Sequence, residues 1–370
     1  MLEGLRGFAH SRDDWQRLHA QQRRAAYHLE YGVVLAVLTW LEPSPQTQWF
    51  VRVFERDECI AVLRLAMTAR RLFRIVPLRA LEATTYAECR HQDVLLKPGV
   101  DARAVWDALT HAMAQRRVRW HALTTIAAPA GGGFDALASA MPARGRIVRG
   151  MPGFASANSL NTSRPYAALA ANFSPTLTKN LAKGWRRLDR AGPWEVVCAR
   201  GAPDTLWAFD EFCRVEASGW KGASGTGTAA GLSGPASAYC RDLFLLRDDG
   251  CWGEVNLLRL DGRAIAAQLC VVSGGARFVL KIGFDETHRR LGPGQLLLDD
   301  ALRRACADTA ITRLDLVSDQ PWHADWGTDH VPVHDYMLLQ SRTVARVWQF
   351  LSATRELLRR GKRVGRSVNA

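Results

Sequence analysis

FVLKIGFDETHRRLGPGQLLLDDALRRACA, residues 278–307, decides how this chain is read. Phe278–Phe284 is short, apolar and bounded by turn residues, which predicts a strand. Pro293–Ala307 is predicted to be a helix. Pro293 suits the first helical position, where a missing N–H costs nothing, and Leu297, Ala301, Leu302 and Ala305 form one apolar stripe. Between strand and helix lies Arg289-Arg290-Leu291-Gly292-Pro293-Gly294, the spacing R-x-x-G-x-G. Gly292 and Gly294 let backbone amides approach a ligand without a side chain in the way. No acid stands in the first helical turn, since Asp299 and Asp300 come later. The free amides and the helix dipole therefore make an anion site, with His288, Arg289 and Arg290 beside it. Pyrophosphate suits such a site; the plain alternative is an ordinary Gly-Pro helix start.

Working outward, Trp252–Leu260, a turn at Asp261-Gly262, Ala264–Val272, a turn at Gly274-Gly275 and Phe278–Phe284 predict a three-strand antiparallel meander. Before it come a helix over Ser174–Ala191, with Leu177, Leu181, Trp185 and Leu188 on one face, and a strand over Trp194–Cys198. A helix over Thr205–Ser218, a flexible Gly/Ser/Thr loop over Gly219–Gly234 and a helix over Ala238–Leu246 follow. After the motif helix, Arg313–Val317 reads as a strand. The first part of the chain also alternates. Trp15–Leu29 reads as a helix, and Val33–Trp40, Trp49–Glu55 and Cys59–Met67 as strands. Asp93–Leu96 reads as a short strand, and a helix starts near Ala102 with Asp101 as its N-cap. The segment Pro129–Pro165 is rich in Gly, Pro and Ser, and a domain junction is placed in it, near residue 160.

The chain has 370 residues, more than one core usually serves, which suggests two domains. Hydrophobic residues make up 48%, so global disorder is excluded. No run is apolar for long enough to span a bilayer, and the N-terminal segment has acids and no apolar signal core, so a cytoplasmic protein is expected. The 8 cysteines form no C-x-x-C pair and mostly sit in apolar patterns, which reads as free thiols in a reducing compartment. The net charge of +13 favours anionic partners.

The strand, R-x-x-G-x-G turn and helix resemble the acyl-CoA site of the GNAT acetyltransferases. LTKNLAKGWRRLDRAGPWEV, the segment Glu216-Ala-Ser-Gly-Trp220-Lys221-Gly222, the meander, RRLGPGQLLLDDALRRA and LDLVSD followed by Trp322 are similar to the CelD-like acetyltransferases associated with cellulose and other exopolysaccharide synthesis. The resemblance covers residues 170–340 well and the first half loosely. It implies an α/β (mixed α+β) fold of two tandem GNAT-like domains, each a mostly antiparallel sheet flanked by helices. The expected division is residues 1–160 without a cofactor motif, 161–343 with the acyl-CoA site, and 344–370 as an amphipathic helix and basic tail. The same architecture is similar to the Fem-type aminoacyl transferases, which use aminoacyl-tRNA.

The resemblance implies acetyl-CoA or another acyl-CoA as co-substrate, held by Ile282, Gly283, Phe284, Arg289, Arg290, Leu291, Gly292, Gly294 and Gln295. The acceptor would be an amine or hydroxyl on a small or sugar-derived molecule, and polysaccharide-synthesis proteins are expected as partners. Neither a stable nucleic-acid partner nor a metal is expected. Direct attack on a thioester needs orientation, a proton acceptor and a group to hold the carbonyl oxygen. Glu216 is the favoured base, on its match to the family segment and its place beside the loop; a helix-end Glu paired with Lys221 or Arg214 is the alternative. Glu254, Asp285 and Asp319 are weaker candidates. Asp315, in the apolar strand Leu314-Asp315-Leu316, must have a partner or a shifted pKa, unless it faces solvent. Lys221 could contact phosphate or the acceptor, or simply be solvated. Lys179, Lys183, Arg186, Arg187 and Arg190 fall on one helical stripe, which could receive a nucleotide, a carrier phosphopantetheine or tRNA, or be a solvated face. His323, His330 and His334 lie near Asp325 and Asp329, but Pro332 disfavours the helical spacing of a zinc motif. Val344–Arg366 carries apolar residues on one side and many basic ones, which suits a docked terminal helix or contact with an anionic surface. Besides the enzyme, a Fem-like aminoacyl transferase and a non-catalytic GNAT-like subunit of a polysaccharide-synthesis complex fit the same residues.

Overall fold

The computed structural model describes residues 1–22, 24, 26–72, 76–83, 91–142, 145–150, 156–219, 221–222, 224–248, 250–341, 343 and 345–346. Its strands are β1 (Leu2–Glu3), β2 (Trp49–Glu55), β3 (Glu58–Leu72), β4 (Val76–Glu82), β5 (Leu95–Leu96), β6 (Ala122–Pro129), β7 (Arg146–Gly150), β8 (Ser156–Asn161), β9 (Trp194–Arg200), β10 (Arg247–Asp248), β11 (Cys251–Leu260), β12 (Arg263–Ser273), β13 (Ala276–Phe284), β14 (Arg313–Asp315) and β15 (Asp329–Leu339). Its α-helices are α1 (Gly4–His10), α2 (Arg12–Ala20), α3 (Tyr31–Ala36), α4 (Ala102–Gln115), α5 (Gly133–Ser139), α6 (Tyr166–Ala170), α7 (Pro175–Ala191), α8 (Leu206–Ser218), α9 (Gly234–Phe244) and α10 (Pro293–Ala307). Residues 344–366, expected as a terminal helix, lie outside the described residues apart from 345 and 346.

The strands form one large mixed sheet in the order β1-β2-β3-β4-β6-β15-β8-β14-β13-β12-β11-β10, with β5 on β3, β7 on β15 and β9 on β11. Most pairs are antiparallel; β4–β6 and β13–β14 are parallel. Each parallel pair is bridged by a helix, α4 in the first half and α10 in the second, as parallel strands require. The meander β11-β12-β13 is the heart of the second half. Its β12 is buried almost throughout because helices cover both faces. Val255, Leu257, Ala267 and Leu269 pack under α8 and α9, while Leu258, Ala266 and Cys270 pack under α7 and α10.

Local sequence accounts for the long helices. Ser174 caps α7, its hydroxyl accepting from Leu177 N at 3.1 Å, and Pro175 stands in the first turn. Leu177, Leu181, Gly184 and Leu188 form the buried face of α7. Asp101 caps α4 by accepting from Arg103 N at 2.8 Å. The α7 and α10 helices approach closely at Gly184, where a Cβ would lie 2.9 Å from both Leu291 O and Leu296 Cδ2.

Two segments differ from their sequence reading. Val33–Trp40, read as a strand, is helical: it forms α3 and a π-type turn over Val37–Leu41. It is apolar on every side because it lies between two clusters. Val33, Ala36 and Val37 join the core under α8 and α9, and Val34 and Leu38 join the cluster around Phe8 and Trp15. Its exposed positions are Leu35, Thr39 and Trp40, of which only Thr39 is polar, so little polarity reveals its period, and its β-branched residues imitate a strand. The helix read over Trp15–Leu29 ends at Ala20; the chain then turns back so that Trp15 Nε1 donates to Leu29 O at 2.6 Å.

The α9 helix ends against a glycine seam. A Cβ on Gly253 would lie 2.0 Å from Leu243 O and 2.4 Å from Phe244 O, both backbone atoms. Gly253→Ala is expected to destabilise the protein by about 1–3 kcal/mol through overpacking, read as a lowered midpoint in urea unfolding.

Candidate active site

The site begins with a fault in the meander. Cys270 pairs with Val279, but Leu269 pairs with Lys281, so Leu280 is one residue more than β12 can match. This bulge re-aims the end of β13. On its other side β13 pairs with β14 through three rungs only, the last being Phe278–Asp315. Beyond that rung the strands part, and β14 gives way to a segment held by Asn158, whose amide donates to Ser318 O at 2.6 Å and Asp319 Oδ1 at 3.1 Å. A fork opens between Val279–Phe284 and Leu316–Gln320.

A cavity of about 350 Å³ fills this fork. Ile282, Gly283, Phe284, Gly294 and Gln295 line it, as do Glu216 and Lys221. Arg289 and Arg290 are exposed on the 3-10 turn Glu286–Leu291, which leads into the helix; with Leu291 and Gly292 they stand outside the cavity lining. Arg187 of α7 braces this turn by donating to Arg290 O at 2.8 Å. Gly292 caps α10 in the left-handed conformation, with φ of 70°, where a side chain is disfavoured. Among the described residues no side chain caps α10, and its first turn holds no acid. Its N-terminal dipole therefore faces the cavity at Gly294 without local neutralisation.

Opposite α10, the end of α8 closes the site. A Cβ on Gly283 would lie 2.8 Å from Glu216 Cα, so glycine lets α8 rest directly on β13. Glu216 is buried and both its oxygens are engaged. Lys221 Nζ donates to Oε1 at 2.9 Å, and Ala230 N donates to Oε2 at 2.8 Å. Lys221 also donates to Ile282 O at 3.0 Å. The carboxylate therefore ties down the far end of the Gly219–Gly234 loop and fixes an ammonium over β13. Trp220, quoted in the family segment, lies outside the described residues.

Asp315 is not brought to this cavity. It lines a second one on the other side of the Phe278–Asp315 rung. Its Oδ1 accepts from Val317 N at 2.9 Å, and its Oδ2 faces Arg24 at 3.4 Å and Arg313 at 3.6 Å. Of the other carboxylates weighed, Glu254 is buried against Arg277 at 2.7 Å. Asp285 caps the Glu286–Leu291 turn by accepting from Thr287 N at 3.0 Å. Neither lines the cavity.

His323 does line the cavity, although the sequence placed it only in a loose histidine cluster. Its ring meets Trp322 edge to face, with centroids 4.1 Å apart, and its Nδ1 faces Gln320 N at 3.3 Å. Burial, opposed by a backbone hydrogen bond with Ser318, lowers its pKa to about 4. Only the fold could reveal this, since it depends on burial against residues remote in the chain. Among the described residues no group of three or more His, Cys, Asp or Glu is placed to hold a metal.

A depressed imidazole pKa has a definite consequence. Below the ordinary value of 6.5 the unfolded chain takes up a proton that folded His323 refuses until about pH 4. Its contribution to stability is complete above pH 6.5 and is lost as the pH falls toward 4. NMR titration of the His323 Cε1–H should show no transition above pH 5, and His323→Gln should flatten the stability profile between pH 6.5 and 4.

Comparison with known proteins follows this geometry. No curated protein matches the chain by sequence. Among solved structures, FemX aligns over 90% of this chain and 97% of its own, at 11% identity and a TM-score of 0.56. A conserved protein of unknown function from Bacteroides thetaiotaomicron aligns over 89% of this chain and 97% of its own, at 11% identity and a TM-score of 0.56. At such identities the likeness is one of fold. Residues 176–324, which carry the bulged strand, the uncapped helix and the Glu216–Lys221 pair, match the family model of the acetyltransferase (GNAT) domain.

Proposed function

We propose that the fork binds an acyl-CoA and that the protein transfers its acyl group to an amine or hydroxyl. The observation that carries this reading is the union of a bulged, unpaired strand edge with an uncapped helix N-terminus on one cavity. The residues fit the co-substrate. The first-turn amides of α10, with Arg289 and Arg290 beside them, suit a diphosphate. The freed edge of Val279–Phe284 offers backbone groups to the amides of a pantetheine arm. The gap beyond the Phe278–Asp315 rung takes the thioester.

The reaction forms a bond from the acceptor nitrogen or oxygen to the acyl carbon and breaks the carbon–sulfur bond. The acceptor's proton passes, in net terms, to the departing thiolate. Lys221, bonded to Ile282 O of the strand edge, meets negative charge growing on the carbonyl oxygen. Glu216, with both oxygens engaged, holds Lys221 in place and so acts as a positioning residue. Asp315, off this cavity, takes no part in the step at the thioester. The resemblance to CelD-like enzymes supports a sugar-derived acceptor from polysaccharide synthesis.

A second reading, transfer from aminoacyl-tRNA, is favoured by the exposure of Lys179, Lys183, Arg186, Arg187 and Arg190 along α7. It requires tRNA binding that weakens steeply with salt.

Acetyl-CoA at about 100 times its Kd is expected to raise the melting temperature by roughly 3–4 °C, measured by calorimetry. Gly294→Asp, which sets a carboxylate in the first turn of α10, should abolish the rise. An unchanged melting temperature with acetyl-CoA and longer acyl-CoAs would overturn the reading. With an acceptor in hand, Lys221→Ala should lower kcat by about 100-fold while the acetyl-CoA shift persists.

A further inference from the structure

The α7 helix runs along the rim of the fork. At its start Ser174 N donates to Asp325 O at 2.8 Å, in the 3-10 turn Pro321–Trp326 whose Trp322 and His323 line the fork cavity. In its middle Gly184 rests on Leu291 and Leu296, at the beginning of α10. Arg187 then donates to Arg290 O, on the turn that carries Arg289 and Arg290. One helix thus joins the segment after β14 to the turn before α10.

The outer face of α7 is basic. Lys179, Lys183, Arg186 and Arg190 are spaced four, three and four residues apart, which sets them in one row on a helix, and Arg187 lies one turn beyond Lys183. At 1.5 Å per residue the row is about 16 Å long. All five side chains are exposed, as are Arg289 and Arg290. Among the described residues none of the seven forms a salt bridge, although other arginines of this half do. The acids close to them in sequence are engaged elsewhere: Asp189 accepts from Trp194 Nε1 at 2.9 Å, and Asp285 caps its own turn. The pairs Lys179–Lys183, Lys183–Arg187 and Arg186–Arg190 set like charges one turn apart, which disfavours the helix. The row is therefore no device for stability.

Its position says what could meet it. The row continues on both sides of Gly184, so the phosphates of one coenzyme A, gathered at the first turn of α10, leave part of it unmatched. The fork narrows the class further. The unpaired edge of Val279–Phe284 suits a partner with amides. A phosphopantetheine arm supplies amides and a phosphate whether a nucleotide or a protein carries it, whereas the end of an RNA has no such arm.

We infer that the α7 row, with Arg289 and Arg290, docks an acidic carrier protein that presents the acyl group on a phosphopantetheine arm. The arm enters the fork, and carboxylates of the carrier meet the row. Charges at the rim of an interface steer encounter and select the partner. The inference rests on the acyl-transfer reading for what fills the fork, while the docking surface is tested apart from it.

The test uses an acyl carrier protein in its holo form with the full chain, and biolayer interferometry in low salt. Binding is expected, and it should weaken steeply as salt is added. Lys179→Glu, Lys183→Glu and Arg186→Glu combined should weaken it by about 10-fold or more, while stabilisation by acetyl-CoA persists. Lys179→Gln with Lys183→Gln should weaken it by about 3-fold, and this pair serves if the triple variant fails to fold. Absence of carrier binding at low salt, an affinity unchanged in a folded variant, or tighter binding of tRNA than of the carrier overturns the docking surface. Carrier binding that needs the row, in a protein that acetyl-CoA does not stabilise, supports the surface and overturns the acyl-CoA reading of the fork.

Discussion

A strand that leaves its neighbour must find other partners for its backbone groups, and the second half of this protein is organised around that obligation. The bulge at Leu280 ends the pairing of β13 with β14 after three rungs. Water or a ligand must serve the edge that results. The uncapped start of α10 carries the same kind of debt at the same cavity. Everything nearby keeps these groups available: Gly283 brings α8 against the strand, Asn158 holds the segment after β14, and Arg187 braces the turn before α10. An anionic molecule with a chain of amides answers both needs at once.

The Glu216–Lys221 pair shows how a buried charge is made tolerable. The carboxylate is fully removed from solvent, while the ammonium retains 20% of its exposure. A buried charge that lacked such partners would be severely destabilising. Here the ammonium and the Ala230 amide compensate it, and the compensation also anchors a glycine-rich loop beside the cavity. Binding geometry and local folding thus depend on the same two hydrogen bonds.

Much of the second half was legible in the sequence because local signals and tertiary demands agree there. The limits of α10, the tight turns of the meander and the Ser174 cap all follow from residues close in the chain. What was not legible depended on distant partners. The apolar run around Val33–Leu38 looked like a strand because the two clusters that surround it come from opposite ends of the chain. Asp315 and Glu216 are both acids next to apolar residues, and only the three-dimensional rung at Phe278 assigns them to different cavities. His323 stood in the sequence only as one of a loose histidine cluster, since what marks it is burial.

The route of β15 has a consequence for biogenesis. This strand, residues 329–339, lies beyond the whole second meander, yet it hydrogen-bonds to β6 and β7 of the first half. The earlier sheet therefore stays open at β6 while some 200 further residues emerge from the ribosome. Contacts so remote in sequence are slow to form. During that interval the nascent chain exposes an apolar margin at Ala122–Pro129 that awaits its last strand.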